Sequence, residues 1–140
     1  SVQLGAAAGM YLSDIHVLDT EEWVWSQPKM TGPVPNALRR SGHTAHRLED
    51  LIMVLGGRTA EKGSQAAGSA GQVEACDGWM LDTTSWSWSK MNMIPENAQY
   101  LMPATSGHAA LLYGAPYSQD RMIDSRAVSR PKMIVFGGDT

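Results

Sequence analysis

The chain has 140 residues, 43% of them hydrophobic, enough to build an ordinary domain around a real core rather than a disordered segment. Its net charge of −3 and pI near 5.7 argue against nucleic acid or an anionic membrane as principal partner. No apolar run approaches the roughly 20 residues of a membrane span, and a single cysteine, Cys76, excludes an internal disulfide.

The opening, Ser1 to Gly9, has neither an initiator methionine nor a signal-peptide pattern, and reads as an internal piece of something longer. Tyr11 to Thr20 suits a strand, ending in the polar turn Asp19-Thr20-Glu21-Glu22. Trp23-Val24-Trp25-Ser26 follows as a short aromatic strand, and Pro28, Gly32, Pro33 and Pro35 then interrupt regular structure. Arg40 to Leu48 is expected to be one strand, turned at Glu49-Asp50 into the apolar run Leu51–Leu55, which Gly56-Gly57 ends. Thr59 to Cys76 is small and polar and reads as a flexible insertion. The earlier pattern then returns: Gly78–Thr83 as a strand into a turn, and Trp86-Ser87-Trp88-Ser89 as a second aromatic strand. After a loop with Pro95 and Pro103, Ser106–Tyr113 is a strand, Gly114 to Pro131 a second insertion, and Lys132–Phe136 a strand closed by Gly137-Gly138.

The chain says the same thing twice. Asp82 follows Asp19, and Trp88 follows Trp25, by 63 residues; Gly107 follows Gly42 by 65; Gly137 follows Gly56 by 81. The growth falls inside the last hairpin, where loop closure tolerates added length. Four strands per repeat result: a (Ser-Gly-His), b (apolar run into Gly-Gly), c (Leu-Asp-Thr) and d (Trp-x-Trp). The chain reads c-d, a-b-c-d, a-b. No helical period of useful length is present.

These motifs resemble Kelch repeats: Arg40-Ser41-Gly42-His43, Leu51–Gly57, Trp79–Thr83 and Trp86–Trp88 match the family's pattern, and the likeness covers nearly the whole chain. It implies an all-β fold of four-stranded antiparallel blades around a central channel. Residues 11–27 would be strands c-d of one blade, 38–94 a full blade, and 104–140 strands a-b of the next. The chain departs from the pattern at Val17 and Met80, where tyrosine is common, and at Thr105, which stands where the first copy has Arg40. Two blades' worth of strands cannot close a ring of about 4 to 8 blades. A fragment of a longer propeller is the expectation, and copies joined head to tail the alternative.

Chemistry-bearing residues read mostly as structural. Gly42, Gly56, Gly57, Gly107, Gly137 and Gly138 provide turns and close approach, His43 and His108 hydrogen bonds within a blade, and Trp25 and Trp88 wedges between blades. His43 and His46 point to opposite faces of a strand, which excludes a shared metal. His16 reads as a packed residue without an acidic neighbour, Cys76 as a half-exposed thiol, and Asp19 and Asp82 as turn caps. No phosphate loop or other cofactor signature is present.

Arg39, Arg40 and Ser41 are the candidate partner-binding residues. By resemblance, an arginine at the Arg40 position can hold acidic peptides at the channel mouth, and its fork suits a carboxylate; an intramolecular salt bridge or a loop cap is the competing reading. The leading expectation is a non-catalytic interaction or scaffold module inside the cell, in the cytoplasm, binding an acidic peptide or a large complex through its loops. The alternatives are a propeller belonging to a larger enzyme, as in phosphatase fusions or copper oxidases, and a structural subunit of a large assembly. A copper site would need Tyr11, Tyr100, Tyr113 or Tyr117 to converge with histidine and Cys76.

Overall fold

The computed structural model describes residues 11–60, 72–97, 104–113 and 131–139. The centres of both insertions, residues 1–10, Pro103, Tyr100 and Tyr117 lie outside the described residues. Among the described residues there are eleven strands: β1 (Val17–Leu18), β2 (Trp25–Ser26), β3 (Arg40–Ser41), β4 (Thr44–Leu48), β5 (Leu51–Leu55), β6 (Arg58–Ala60), β7 (Gln72–Glu74), β8 (Gly78–Asp82), β9 (Ser87–Lys90), β10 (Ala109–Tyr113) and β11 (Lys132–Phe136). One 3-10 turn spans Asn36–Leu38.

The centre is an antiparallel sheet in the order β4-β5-β8-β9. β5 lies inside it, flanked on both edges, and Met53, Val54 and Leu55 are buried there. This is why its sequence is a continuous apolar run and not an alternation: both faces are covered. Leu81 on β8, 3% exposed, closes the same core. Burying each of these side chains contributes about 1.5–3 kcal/mol.

The partial repeats carry the same registers. In the complete blade Thr44 opposes Leu55 and Leu81 opposes Trp88. In β10–β11 Ala109 opposes Phe136, and in β1–β2 Leu18 opposes Trp25, at the corresponding positions. The chain is therefore all-β and built of c-d, a-b-c-d and a-b strand groups.

Three expectations are corrected. Strand a is broken: β3 and β4 are separated at Gly42, whose φ of +65° turns the chain so that its carbonyl accepts the Gly107 N–H at 2.9 Å. A straight strand would aim that carbonyl into its own sheet. The stretch from Thr59 to Cys76 is also not loop throughout. Its two ends form β6 and β7, which pair with each other and with β3 in a second sheet of order β3-β6-β7. Tyr11 to Thr20 likewise pairs only at Val17–Leu18.

Antiparallel pairing gathers the connections. Thr44, Leu55 and Gly78 lie at one end of the four-stranded sheet, and Leu48, Leu51 and Asp82 at the other. The first end carries the β3-β6-β7 sheet and the connections entering β4, leaving β5 and leaving β9. The second carries the tight turns. Between the central sheet and β10–β11 lies a cleft of about 270 Å³ lined by Met53, Leu55, Met91, Leu112, Met133 and Val135.

Candidate functional site at the loop end of the blades

On β3 the side chains alternate, Arg40 inward and Ser41 to solvent, and Arg39, at the end of the 3-10 turn just ahead of the strand, is exposed. The Arg40 side chain is 1% exposed. Its Nε and one terminal nitrogen donate to the Ala37 carbonyl at 2.9 and 2.6 Å, and the other donates to the Gly56 carbonyl at 2.8 Å. The Asp77 carboxylate stands 2.9 Å from the guanidinium. Asp77 is itself oriented by the Trp79 indole N–H, 3.0 Å from its other oxygen. Arg40 is therefore not a free fork for an external carboxylate, because it is buried, donates to two carbonyls of its own chain and is ion-paired with Asp77. Of the three candidate residues, Arg39 and Ser41 are presented outward and Arg40 is the post they stand on.

Arg58 follows on β6, between Ser41 on one neighbouring strand and Glu74 on the other. It donates to Glu74 at 2.6 Å, and Asp139 lies 3.8 Å away. Burial opposes ionisation of Glu74, but hydrogen bonds from Arg58 and Ser106 and the Arg58 charge outweigh it and lower its pKa.

The glycine pairs make the seam between blades. Gly57 donates to the Thr105 carbonyl at 2.9 Å and accepts from Ala75 N–H at 2.8 Å. Its φ is +96°, and a Cβ there would sit 2.7 Å from the Ser41 carbonyl oxygen. Gly138 repeats the geometry against the Ser106 carbonyl and the Thr105 hydroxyl. His108 is buried over Gly56 and its Nε2 lies 2.9 Å from the Thr44 hydroxyl. Its hydrogen bond thus crosses from one blade to the next, where the sequence suggested one within a blade. His43, the equivalent residue, is exposed on one side; partial burial, then the Arg40 and His108 charges, lower its pKa.

At the opposite end the two aspartates cap turns. Asp19 accepts the N–H groups of Glu21 and Glu22 at 2.8 and 2.9 Å, and Asp82 those of Thr84 and Ser85 at 2.7 and 3.1 Å. These backbone bonds lower both pKa values. Each turn ends on a tryptophan in the left-handed region, Trp23 at φ 57° and Trp86 at φ 52°.

Two further placements differ from the sequence reading. Among the described residues β2 pairs only with β1, and Trp25 is 65% exposed; Trp88, inside the four-stranded sheet, is half-buried. His16 does have an acidic neighbour: its Nε2 lies 2.7 Å from Asp14. The 63-residue offset held the signal for both missed aspartates, since Asp14 and Asp77 are counterparts, each bonded to a ring nitrogen two residues on. Cys76 is an exposed free thiol. Among the described residues, no group of three or more His, Cys, Asp or Glu side chains could hold a metal ion, and no helix is long and apolar enough to cross a membrane.

A family model described as the KLHDC2/KLHL20/DRC7 Kelch-repeats domain matches residues 5–123. Host cell factor 2 of Homo sapiens is 30% identical over 115 residues, covering 79% of this chain and 14% of that protein. Kelch domain-containing protein 2 of Bos taurus is 26% identical over 129 residues, covering 87% of this chain and 29% of that protein. Host cell factor of Drosophila melanogaster is 26% identical over 111 residues, covering 76% and 7% respectively. The chain therefore spans less than a third of the length of each of these relatives.

Proposed function

Because the chain belongs to the Kelch-repeat family, we propose that it is a non-catalytic protein-interaction module that makes its contacts at the loop end of its blades. One observation carries this reading. The inward residue of β3, Arg40, is spent on holding the loop end together, while Ser41 beside it and Arg39, just ahead of the strand, are exposed. An exposed guanidinium and hydroxyl flanking an anchored residue suit a carboxylate-bearing partner. The partner is an acidic peptide segment, bound alone or within a larger complex in the cytoplasm. Loops on a rigid scaffold are where sequence can vary without disturbing the core, which is how one blade architecture serves different partners.

The test is capture of acidic peptides by the immobilised chain, comparing wild type with Arg39→Glu and with Ser41→Asp. Both side chains are exposed, so the fold survives either change. Loss of capture in both supports the reading. Unchanged capture, or capture indifferent to peptide charge, would sink it.

A further inference from the structure

The cleft between the central sheet and β10–β11 is rich in sulfur. Its walls are strands a and b of two consecutive blades: Leu48, Met53 and Leu55 on one side, Leu112, Met133 and Val135 on the other. Met91 and Met93, from the connection that leaves β9, complete the lining. Six methionines fall among the described residues, and four of them line this one cleft. We propose that Met91 is an oxidation site, at which a peroxide converts the thioether to a sulfoxide and so loosens the two blades from each other.

Met91 is fixed by its backbone and by its sulfur. Its N–H donates to the Gly78 carbonyl at 2.9 Å. Its sulfur packs on the Gly78 backbone beside Leu55: a Cβ built on Gly78 would lie 2.7 Å from that sulfur and 3.2 Å from a Leu55 methyl carbon. An oxygen on this side of the sulfur has no room, and on the other side it enters the apolar cleft. Leu55, 4% exposed, leads directly into Gly56-Gly57. Gly57 in turn donates to the Thr105 carbonyl of the next blade. A shift of Leu55 under the enlarged Met91 therefore reaches a hydrogen bond between blades within two residues.

The step needs only hydrogen peroxide as co-reactant. A sulfur lone pair attacks one peroxide oxygen and the O–O bond breaks. The sulfur is oxidised by two electrons and the peroxide reduced by the same two; the second oxygen leaves as hydroxide, takes the proton of the transferred oxygen and becomes water. The product turns a flexible apolar side chain into a polar one. No side chain lining the cleft has a donor to offer the new oxygen, and a polar group buried without a hydrogen bond is unfavourable. Met93 is 38% exposed, Met91 half-buried and Met53 buried, so a small oxidant meets Met93 first and Met91 next.

The chain carrying Cys76→Ser, which removes the exposed thiol, is treated with graded hydrogen peroxide. Peptide mass mapping follows each methionine. Amide hydrogen exchange follows the two bonds that join the blades, from Gly57 N–H to Thr105 and from Gly107 N–H to Gly42. The expected order is Met93, then Met91. Exchange at Gly57 and Gly107 keeps its starting rate while Met93 alone is oxidised. It rises at least tenfold with the Met91 sulfoxide, and the β5–β8 ladder is unchanged. Met91→Leu, a swap of similar volume, is expected to remove the response to peroxide, and Met91→Gln to reproduce it without peroxide. A Met91 that stays unoxidised after Met93 is fully converted overturns the proposal. So does a Met91 sulfoxide that leaves both amides unchanged, or a Met91→Leu chain that responds as its parent does.

Discussion

Replacing Arg40 by methionine tests the organisation of the loop end most directly. Methionine fills much of the volume but leaves the Asp77 carboxylate without its counter-charge and the Ala37 and Gly56 carbonyls without their donors. Breaking a buried ion pair on one side costs about 3–5 kcal/mol. An orphaned carbonyl adds about 1–3 kcal/mol where water cannot reach it. Asp77 is 22% exposed, so solvent recovers part of its share and the lower range applies. We expect a loss of about 3–5 kcal/mol, a large fraction of the roughly 5–15 kcal/mol that holds a domain together. Arg40→Lys keeps the charge but cannot reach three acceptors, and is expected to cost about 1–3 kcal/mol. Asp77→Asn in the Arg40→Met background removes the orphaned charge, and the two changes are expected to couple by about 1–3 kcal/mol. Urea unfolding followed by the fluorescence of the five tryptophans measures wild type and the four variants, Asp77→Asn alone included. A loss below about 1 kcal/mol for Arg40→Met, or strict additivity with Asp77→Asn, would refute the claim that the guanidinium holds this end.

Gly57→Ala should cost several times more than Gly107→Ala: both glycines have positive φ, but only the first would drive a Cβ against a backbone carbonyl, so the difference in unfolding midpoint isolates the clash. Acidification should destabilise the chain in two stages. The His43 pKa is lowered in the fold, so its contribution is complete above the unfolded value of 6.5 and is lost as pH falls from there through the folded pKa. Glu74 is also lowered, so its contribution is complete above 4.5 and is lost as pH falls further. His43→Gln should remove the upper stage alone in pH-dependent urea unfolding, and persistence of that stage would show another group responsible. Trp23→Asn should leave stability unchanged or raise it by about 1 kcal/mol, since asparagine enters the left-handed region more readily. A loss above about 1 kcal/mol would mean that the indole, 71% exposed, makes a contact of real energetic weight.

The strands with buried apolar runs were legible because burial on both faces leaves a run with no alternation, as in Leu51–Leu55. The turn caps at Asp19 and Asp82 were legible because a short carboxylate after a strand has one cheap role, and the constant offset doubled the evidence. For Arg40 the sequence left an intramolecular salt bridge open beside partner binding but could not choose between them or name the partner. Its sequence neighbours are polar, and its ion-pair partner Asp77 comes 37 positions later, beyond an insertion, where sequence alone sets no distance. The break at Gly42 was hidden for the same kind of reason, because its cause is a carbonyl directed at Gly107 in another blade. β6 and β7 were missed since Arg-Thr-Ala and Gln-Val-Glu are too short and polar for a periodic signal; pairing to β3 makes them strands.

The seam between successive blades has a consequence for descent. Gly57 meets Thr105 and Gly107 meets Gly42 through main-chain atoms, which every residue type shares. A duplicated blade therefore arrives already able to dock onto its neighbour, before any mutation has fitted the two together. Selection must keep only the small residues that let the backbones touch. The remaining positions are free to drift toward new partners, copy by copy, while the order of the copies along the gene persists.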